Sequence, residues 1–242
     1  MGSSFTIGRI AGVDLKVHVT FFLLLVWVAY RDWTYGGPAA AAFSVAFVLA
    51  IFGCVVLHEF GHVLMARRFG IPTRDVVLLP IGGVARLEYF PTKPRQELLI
   101  ALAGPVVTLA IAVVLYAILK VFGGGPMGVG SMMTFGGGFL NNLLVVNIYI
   151  LVFNLIPAFP MDGGRVLRAI LSSRMGLVRG TRIAATVGKI IAVLFGFYAM
   201  FGGRSTNWFL LLIALFVFMA ASGEAAAVEA RSRSDTQPPV NP

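Results

Sequence analysis

Charge is scarce in this sequence. Of its 242 residues only 12% are Asp, Glu, Lys or Arg while 58% are hydrophobic, and that excludes an ordinary soluble domain, in which about a quarter of residues are charged. Cysteine is scarcer still: Cys54 is alone, so no internal disulfide framework is available and the redox compartment stays open. Histidine occurs three times and acidic residues ten, which leaves few groups able to carry acid, base or metal chemistry. No cleavable leader is expected either, because the N-terminus is polar and the first apolar run is long enough to remain as an anchor. Neither an internal repeat nor inverted symmetry of the transporter kind is visible.

What is abundant is long apolar runs. Six stretches, roughly 18–35, 39–66, 98–122, 139–157, 185–201 and 207–223, approach the roughly 20 residues that one membrane crossing needs. The expected fold class is an all-α polytopic membrane protein with six transmembrane helices. The net charge of +9 then has to be read by position. Arg67, Arg68, Arg74, Arg86, Lys93 and Arg95 crowd the second loop, and Arg165, Arg168, Arg174, Arg179, Arg182 and Lys189 crowd the fourth. The loops between hold one each, Arg31, Lys120 and Arg204. This alternation is the positive-inside pattern, so both termini and the rich loops belong in the cytoplasm, at the cell membrane. The basic balance reports topology and gives no support to a nucleic-acid partner.

The second loop carries two β-like runs, Val76–Leu79 and Val84–Glu88, around Pro80 and the pair Gly82 and Gly83. A small β-hairpin or sheet element on the cytoplasmic side between helices 2 and 3 is therefore expected. The third loop, GGGPMGVGSMMTFGGG, is glycine-rich and nearly uncharged, which suits a flexible far-side segment. Residues 1–227 read as one membrane domain, and 228–242, polar and carrying three prolines, as a disordered tail.

His58 and His62 stand four apart in one helix, so their rings emerge on one face, the spacing that places two ligands on a single metal. Glu59 can point at a water on that metal without being a ligand, which is why HExxH on a helix marks zinc hydrolases. The cluster lies about 14 Å below the cytoplasmic surface, counting nine residues to Arg67 at 1.5 Å each. Polar groups at that depth are costly unless paired, metallated or hydrated. A catalytic zinc takes a third protein ligand. Among the acids only Asp162 follows a span that ends in the cytoplasm, inside FNLIPAFPMDGGR, where Pro157 and Pro160 break the helix and Gly163 and Gly164 permit unusual dihedrals. Read by itself, Asp162 is either that ligand or the N-cap of a helix over 163–172.

With HEFGH (58–62), LLPIGGVARLE (78–88), AGP (103–105) and FNLIPAFPMDGGR (153–165) in one chain, the sequence resembles the site-2 proteases, intramembrane zinc metalloproteases, and most closely their compact archaeal and bacterial members. The likeness runs from about Gly8 to Glu224. Neither a PDZ domain between spans nor a C-terminal CBS pair is visible. The resemblance implies one Zn2+ held by His58, His62 and Asp162, Glu59 as general base, and Asn154 holding or polarising the substrate carbonyl. The implied activity is hydrolysis of peptide bonds within or near the transmembrane segment of a single-span or hairpin substrate drawn from the lipid bilayer, in a site opening toward the cytoplasm. The Gly82–Gly83 hairpin would pair with the unwound segment as an added strand.

Three residues stay open: Cys54, one turn before His58, as a fourth donor or a small filler; His18 as a site residue or an interfacial one; and Asn147, which among Asn141, Asn142 and Asn147 is best spaced to face the site. A zinc channel would need ligands on the far side as well, where only Asp32 is available. An inert scaffold would not bind zinc, and a serine mechanism lacks a Ser/His pair.

Overall fold

A computed structural model of the chain describes residues 4–80, 82–89, 91, 93–122, 138–203 and 205–236, with side chains as far as 232. Its elements are β1 (Ser4–Ile10), β2 (Val13–His18), α1 (Val19–Arg68), β3 (Thr73–Leu79), β4 (Gly82–Leu87), α2 (Pro94–Val121), α3 (Phe139–Asn154), α4 (Asp162–Met175), α5 (Leu177–Phe201) and α6 (Trp208–Thr236). The chain divides into two compact units, Met1–Phe90 with Ala103–Val152, and Pro91–Leu102 with Phe153–Pro242.

In the first unit a four-stranded sheet runs in the order β1-β2-β3-β4, wider than the hairpin expected between helices 2 and 3. Its extra strands come from the N-terminus. β2 alternates buried Val13, Leu15 and Val17 with half-buried Asp14, Lys16 and His18, the period of a strand with one covered face. β1 and β2 meet in a two-residue turn at Ala11 (φ 50°) and Gly12 (φ 82°), the paired positive dihedrals of a tight hairpin. β2 and β3 are parallel, with Val17 opposite Leu78, and β3 and β4 antiparallel.

That parallel pairing dictates the shape of α1. A straight helix of 50 residues is about 75 Å long, yet β2 enters it and β3 follows it, and those two strands are neighbours about 4.8 Å apart. The helix must therefore double back, and it breaks at Gly37 (φ 73°, ψ −168°), followed by Pro38. Only glycine adopts that dihedral without strain. Phe21, early in α1, meets Phe52, late in it, edge to face at 4.5 Å between ring centroids, as two antiparallel halves require. Both rings join Val13, Leu15, Val17, Phe60, Val63, Val76 and Leu78 in the core between sheet and helix. A second apolar cluster packs Ala112 and Leu115 of α2 against Leu143 and Leu144 of α3, with Ile51 and Cys54 of α1 beside them.

The sheet is also held by charge. Asp75, fully buried on β3, receives the Arg86 guanidinium from β4 with two bonds of 2.5 Å and the Lys16 ammonium from β2 at 2.7 Å. Hydrogen bonding by Arg86 holds the Asp75 carboxyl below the usual carboxylate range, against the opposing effect of burial, with Lys16 adding in the same direction.

In the second unit α5 and α6 pack through small residues. Ala158, Ala192 and Val217 form one cluster, and Ala184, Ala185 and Ala221 another around Phe159, the close approach that helices in lipid favour. Lys189, inside the expected fifth span, lies over the Phe218 ring at 5.8 Å. α6 runs through Thr236, so residues 228–236 are helical where a disordered tail was expected. Residues 237–242 and the glycine-rich stretch 123–137 lie outside the described residues.

Among the described residues four helices are long and apolar enough to cross a membrane: α1, α2, α5 and α6 over Trp208–Ser232, with α3 a shorter apolar helix of 16 residues. The first two expected spans lie in the single kinked α1.

Candidate metal centre and general base

His58 and His62 lie on the last third of α1 and are 4% and 5% exposed. Their Nε2 atoms face each other at 3.1 Å. Two ligands on one tetrahedral zinc at about 2.0–2.1 Å stand about 3.3–3.4 Å apart, so the pair is close to coordination spacing. His58 Nδ1 lies 2.8 Å from the Thr108 hydroxyl of α2, and that hydroxyl donates to the Gly104 carbonyl at 3.4 Å. A hydroxyl that has given away its only proton accepts from its other neighbour. The proton of His58 is therefore assigned to Nδ1, which leaves the Nε2 lone pair for a metal, the arrangement that orients metal-bound histidines generally.

Gly104 makes the room. A Cβ at that position would stand 2.2 Å from His62 Nε2 and 2.7 Å from His58 Nε2, so any side chain would fill the space where the two nitrogens converge. One turn along α1, a Cβ on Gly61 would meet the Ala103 carbonyl oxygen at 2.7 Å; its absence lets α1 and α2 approach closely enough for Thr108 to reach His58. The donor set and the glycine-lined space fit zinc, a borderline-soft ion that favours imidazole and carboxylate.

Glu59, beside His58 in sequence, is half-buried and turns toward the sheet. Its Oε2 accepts from the Ala85 amide at 3.2 Å, and a Cβ on Gly83 would lie 2.5 Å from its Cγ.

Asp162 belongs to the second unit. It is 7% exposed and is the first residue of α4. The N-cap position is taken by Met161, with no side-chain cap, so the capping alternative for Asp162 does not hold. Gly163 and Gly164 have ordinary helical dihedrals; their role is space. A Cβ on Gly163 would lie 2.4 Å from the carbonyl oxygens of Leu155 and Ile156, and one on Gly164 would lie 2.6 Å from the carbonyl carbon of Ala158. The segment after α3, with its cis Phe159–Pro160 bond, thus wraps directly over the start of α4. Arg165 Nη1 stands 3.9 Å from Asp162 Oδ1. Further along α4, Arg168 is buried between Glu97 and Glu224 and covers the Phe159 ring at 5.2 Å.

The remaining candidates are also placed. Asn154 is the half-buried last residue of α3. Asn147 is fully buried and donates its Nδ2 to the Leu143 carbonyl at 2.8 Å. Cys54 sits in the apolar cluster of α1, α2 and α3. His18 is the N-cap of α1 and accepts from the Thr20 amide at 3.3 Å. Thr108, Gly104 and Ala85 went unrecognised in the sequence as parts of the site. The signal for the first two was a small and a hydroxyl residue four apart on one helix, Gly104 within the AGP motif.

A family model described as peptidase family M50 matches residues 46–137 and 124–195. The zinc metalloprotease MJ0392 of Methanocaldococcus jannaschii is 38% identical over 229 residues, covering 95% of this chain and 62% of that protein. Stage IV sporulation protein FB of Bacillus subtilis is 27% identical over 213 residues, covering 86% of this chain and 65% of that one. The solved structure of a site-2 protease from M. jannaschii superposes with a TM-score of 0.64 at 35% identity, covering 92% of this chain and 95% of that one. The chain spans between half and two thirds of the length of the curated relatives it matches.

Proposed function

Because the chain belongs to peptidase family M50, the family of the site-2 proteases, we propose that it is a zinc-dependent intramembrane endopeptidase that cleaves peptide bonds within or near the transmembrane segments of other membrane proteins. The observation that carries this reading is the convergence of the two imidazole Nε2 atoms over Gly104, with the proton of His58 tied to Thr108. In it, His58, His62 and Asp162 hold one zinc. Each of the three is buried within its own unit, and imidazole and carboxylate together are a donor set that suits zinc.

The chain crosses the membrane six times, the two halves of α1 counting as two crossings and α3 as the fourth, with both termini and the basic loops in the cytoplasm. The site then opens toward the cytoplasm, from which water reaches it. A substrate helix must unwind there, because helical amides are shielded by their own hydrogen bonds, and the Gly82–Gly83 hairpin pairs with the extended segment as an added strand. Zinc, when bound, polarises the scissile carbonyl and acidifies water. Glu59 takes the proton of the attacking water and returns it to the leaving amine. Asn154 holds the substrate carbonyl.

The test is Glu59→Gln in the full chain in detergent or proteoliposomes. It keeps about one zinc per chain by elemental analysis and loses cleavage, whereas Asp162→Ala loses both. Cleavage near the wild-type rate in Glu59→Gln would sink the assigned mechanism. Substrates are found as single-span proteins that accumulate in membranes expressing Glu59→Gln and not in those expressing the wild type.

A further inference from the structure

β4 closes the sheet order, so on the side away from β3 its backbone faces no other strand among the described residues. In an antiparallel ladder successive amides point alternately to the partner and away from it. Ala85, opposite Val76, spends its N–H on Glu59 Oε2; its neighbours Val84 and Arg86, opposite Val77 and Asp75, have the phase that faces β3. Two residues back on the same edge, Gly83 leaves the space that the Glu59 methylenes occupy. The edge of β4 and the carboxylate of α1 therefore meet at two points, one a bond and one a fitted surface.

We infer that β4 positions the general base: the Ala85 amide fixes the direction of the Glu59 carboxylate, and Gly83 supplies the room for its stem. The inference rests on the reading of Glu59 as the base. Glutamate has three rotatable bonds, and most of its rotamers aim the carboxylate elsewhere. A backbone amide cannot rotate away, so it holds one oxygen and leaves the other to meet the water. Ala85 and Gly83 act through Glu59 and are positioning residues.

The direct test needs no substrate. Amide hydrogen exchange is read residue by residue on the full chain in detergent, for the wild type and for Glu59→Ala. Removing the carboxylate speeds exchange at Ala85 at least tenfold and leaves Val84 and Arg86 unchanged. Equal rates at Ala85 in both proteins, or the same acceleration at all three residues, overturns the inference. The kinetic test is Ala85→Pro, tolerated because an edge strand can carry proline where the lost N–H faces outward. It lowers kcat ten- to hundredfold, the range of one charge-assisted hydrogen bond, at unchanged KM and zinc content. A raised KM at unchanged kcat would give the amide to substrate docking and overturn the positioning role. If Glu59→Gln instead retains cleavage, the base assignment fails while the exchange result at Ala85 stands on its own.

Discussion

The unit that carries His58 and His62 and the unit that carries Asp162 hold their functional groups by opposite means. In the first, uncharged groups do the orienting: the Thr108 hydroxyl beside His58, the Gly104 carbonyl behind that hydroxyl, and the Ala85 amide on Glu59. In the second, an ion cluster does the holding. Arg168, 3% exposed, is bound by Glu97 and Glu224 and packs over Phe159, in the segment that leads into Asp162. The difference follows from what each group must be. An imidazole ligates metal only when neutral, and a hydroxyl selects its tautomer without favouring the imidazolium. A carboxylate ligand carries its charge, and cationic surroundings do not work against it.

The contrast can be broken from either side. The largest effect is expected from Gly104→Ala, whose Cβ would collide with both imidazoles. It abolishes zinc binding by elemental analysis while the helical content by circular dichroism is kept. Next is Arg168→Leu, which leaves Glu97 and Glu224 without their shared cation. Stranding buried charge costs about 3–5 kcal/mol, read as a lower unfolding midpoint in detergent, and Asp162 loses its zinc only as the unit loosens. Thr108→Val removes the orienting bond of His58 and keeps the shape. It weakens zinc about 10- to 100-fold, the usual cost of losing such a partner, in a chelator competition, with no change in midpoint. The same size of loss in stability as for Arg168→Leu would erase the distinction between the units.

The smallest effect concerns an ion cluster of the first unit's sheet, Asp75 with Arg86 and Lys16. Its pKa is lowered in the folded chain, so its stabilisation is fully present above the unfolded value of about 3.9 and is lost as pH falls through the lower folded value. Exchange protection of β2 and β3 should decline across that acid range, and Asp75→Asn should flatten the decline.

Much of the site was legible in sequence because it is local. HEFGH carries two histidines at helical spacing, and FNLIPAFPMDGGR announces a broken helix around a single acid. What was not legible is what acts across distance or through space. β2 has strand periodicity in Val13, Leu15 and Val17, but it pairs with β3 across the whole of α1, and no local pattern encodes such a partner. Gly163 and Gly164 suggested unusual dihedrals, yet they serve close approach by the carbonyls of residues 155–158, which glycine alone does not reveal. The tail was misread on polarity: residues 224–232 read EAAAVEARS, and alanine, glutamate and arginine are strong helix formers. Arg182 of α5 also holds Glu229 there at 2.8 Å.

The pairing of Val17 with Leu78 also sets an order in time. β3 is made only after the whole of α1, so the first 18 residues wait through the synthesis of a 50-residue helical hairpin before their central partner exists. Glu59 obtains its amide from β4, which comes later still. The sheet that holds Glu59 can close only behind a finished hairpin, so during synthesis the chain carries this carboxylate before it has the means to aim it.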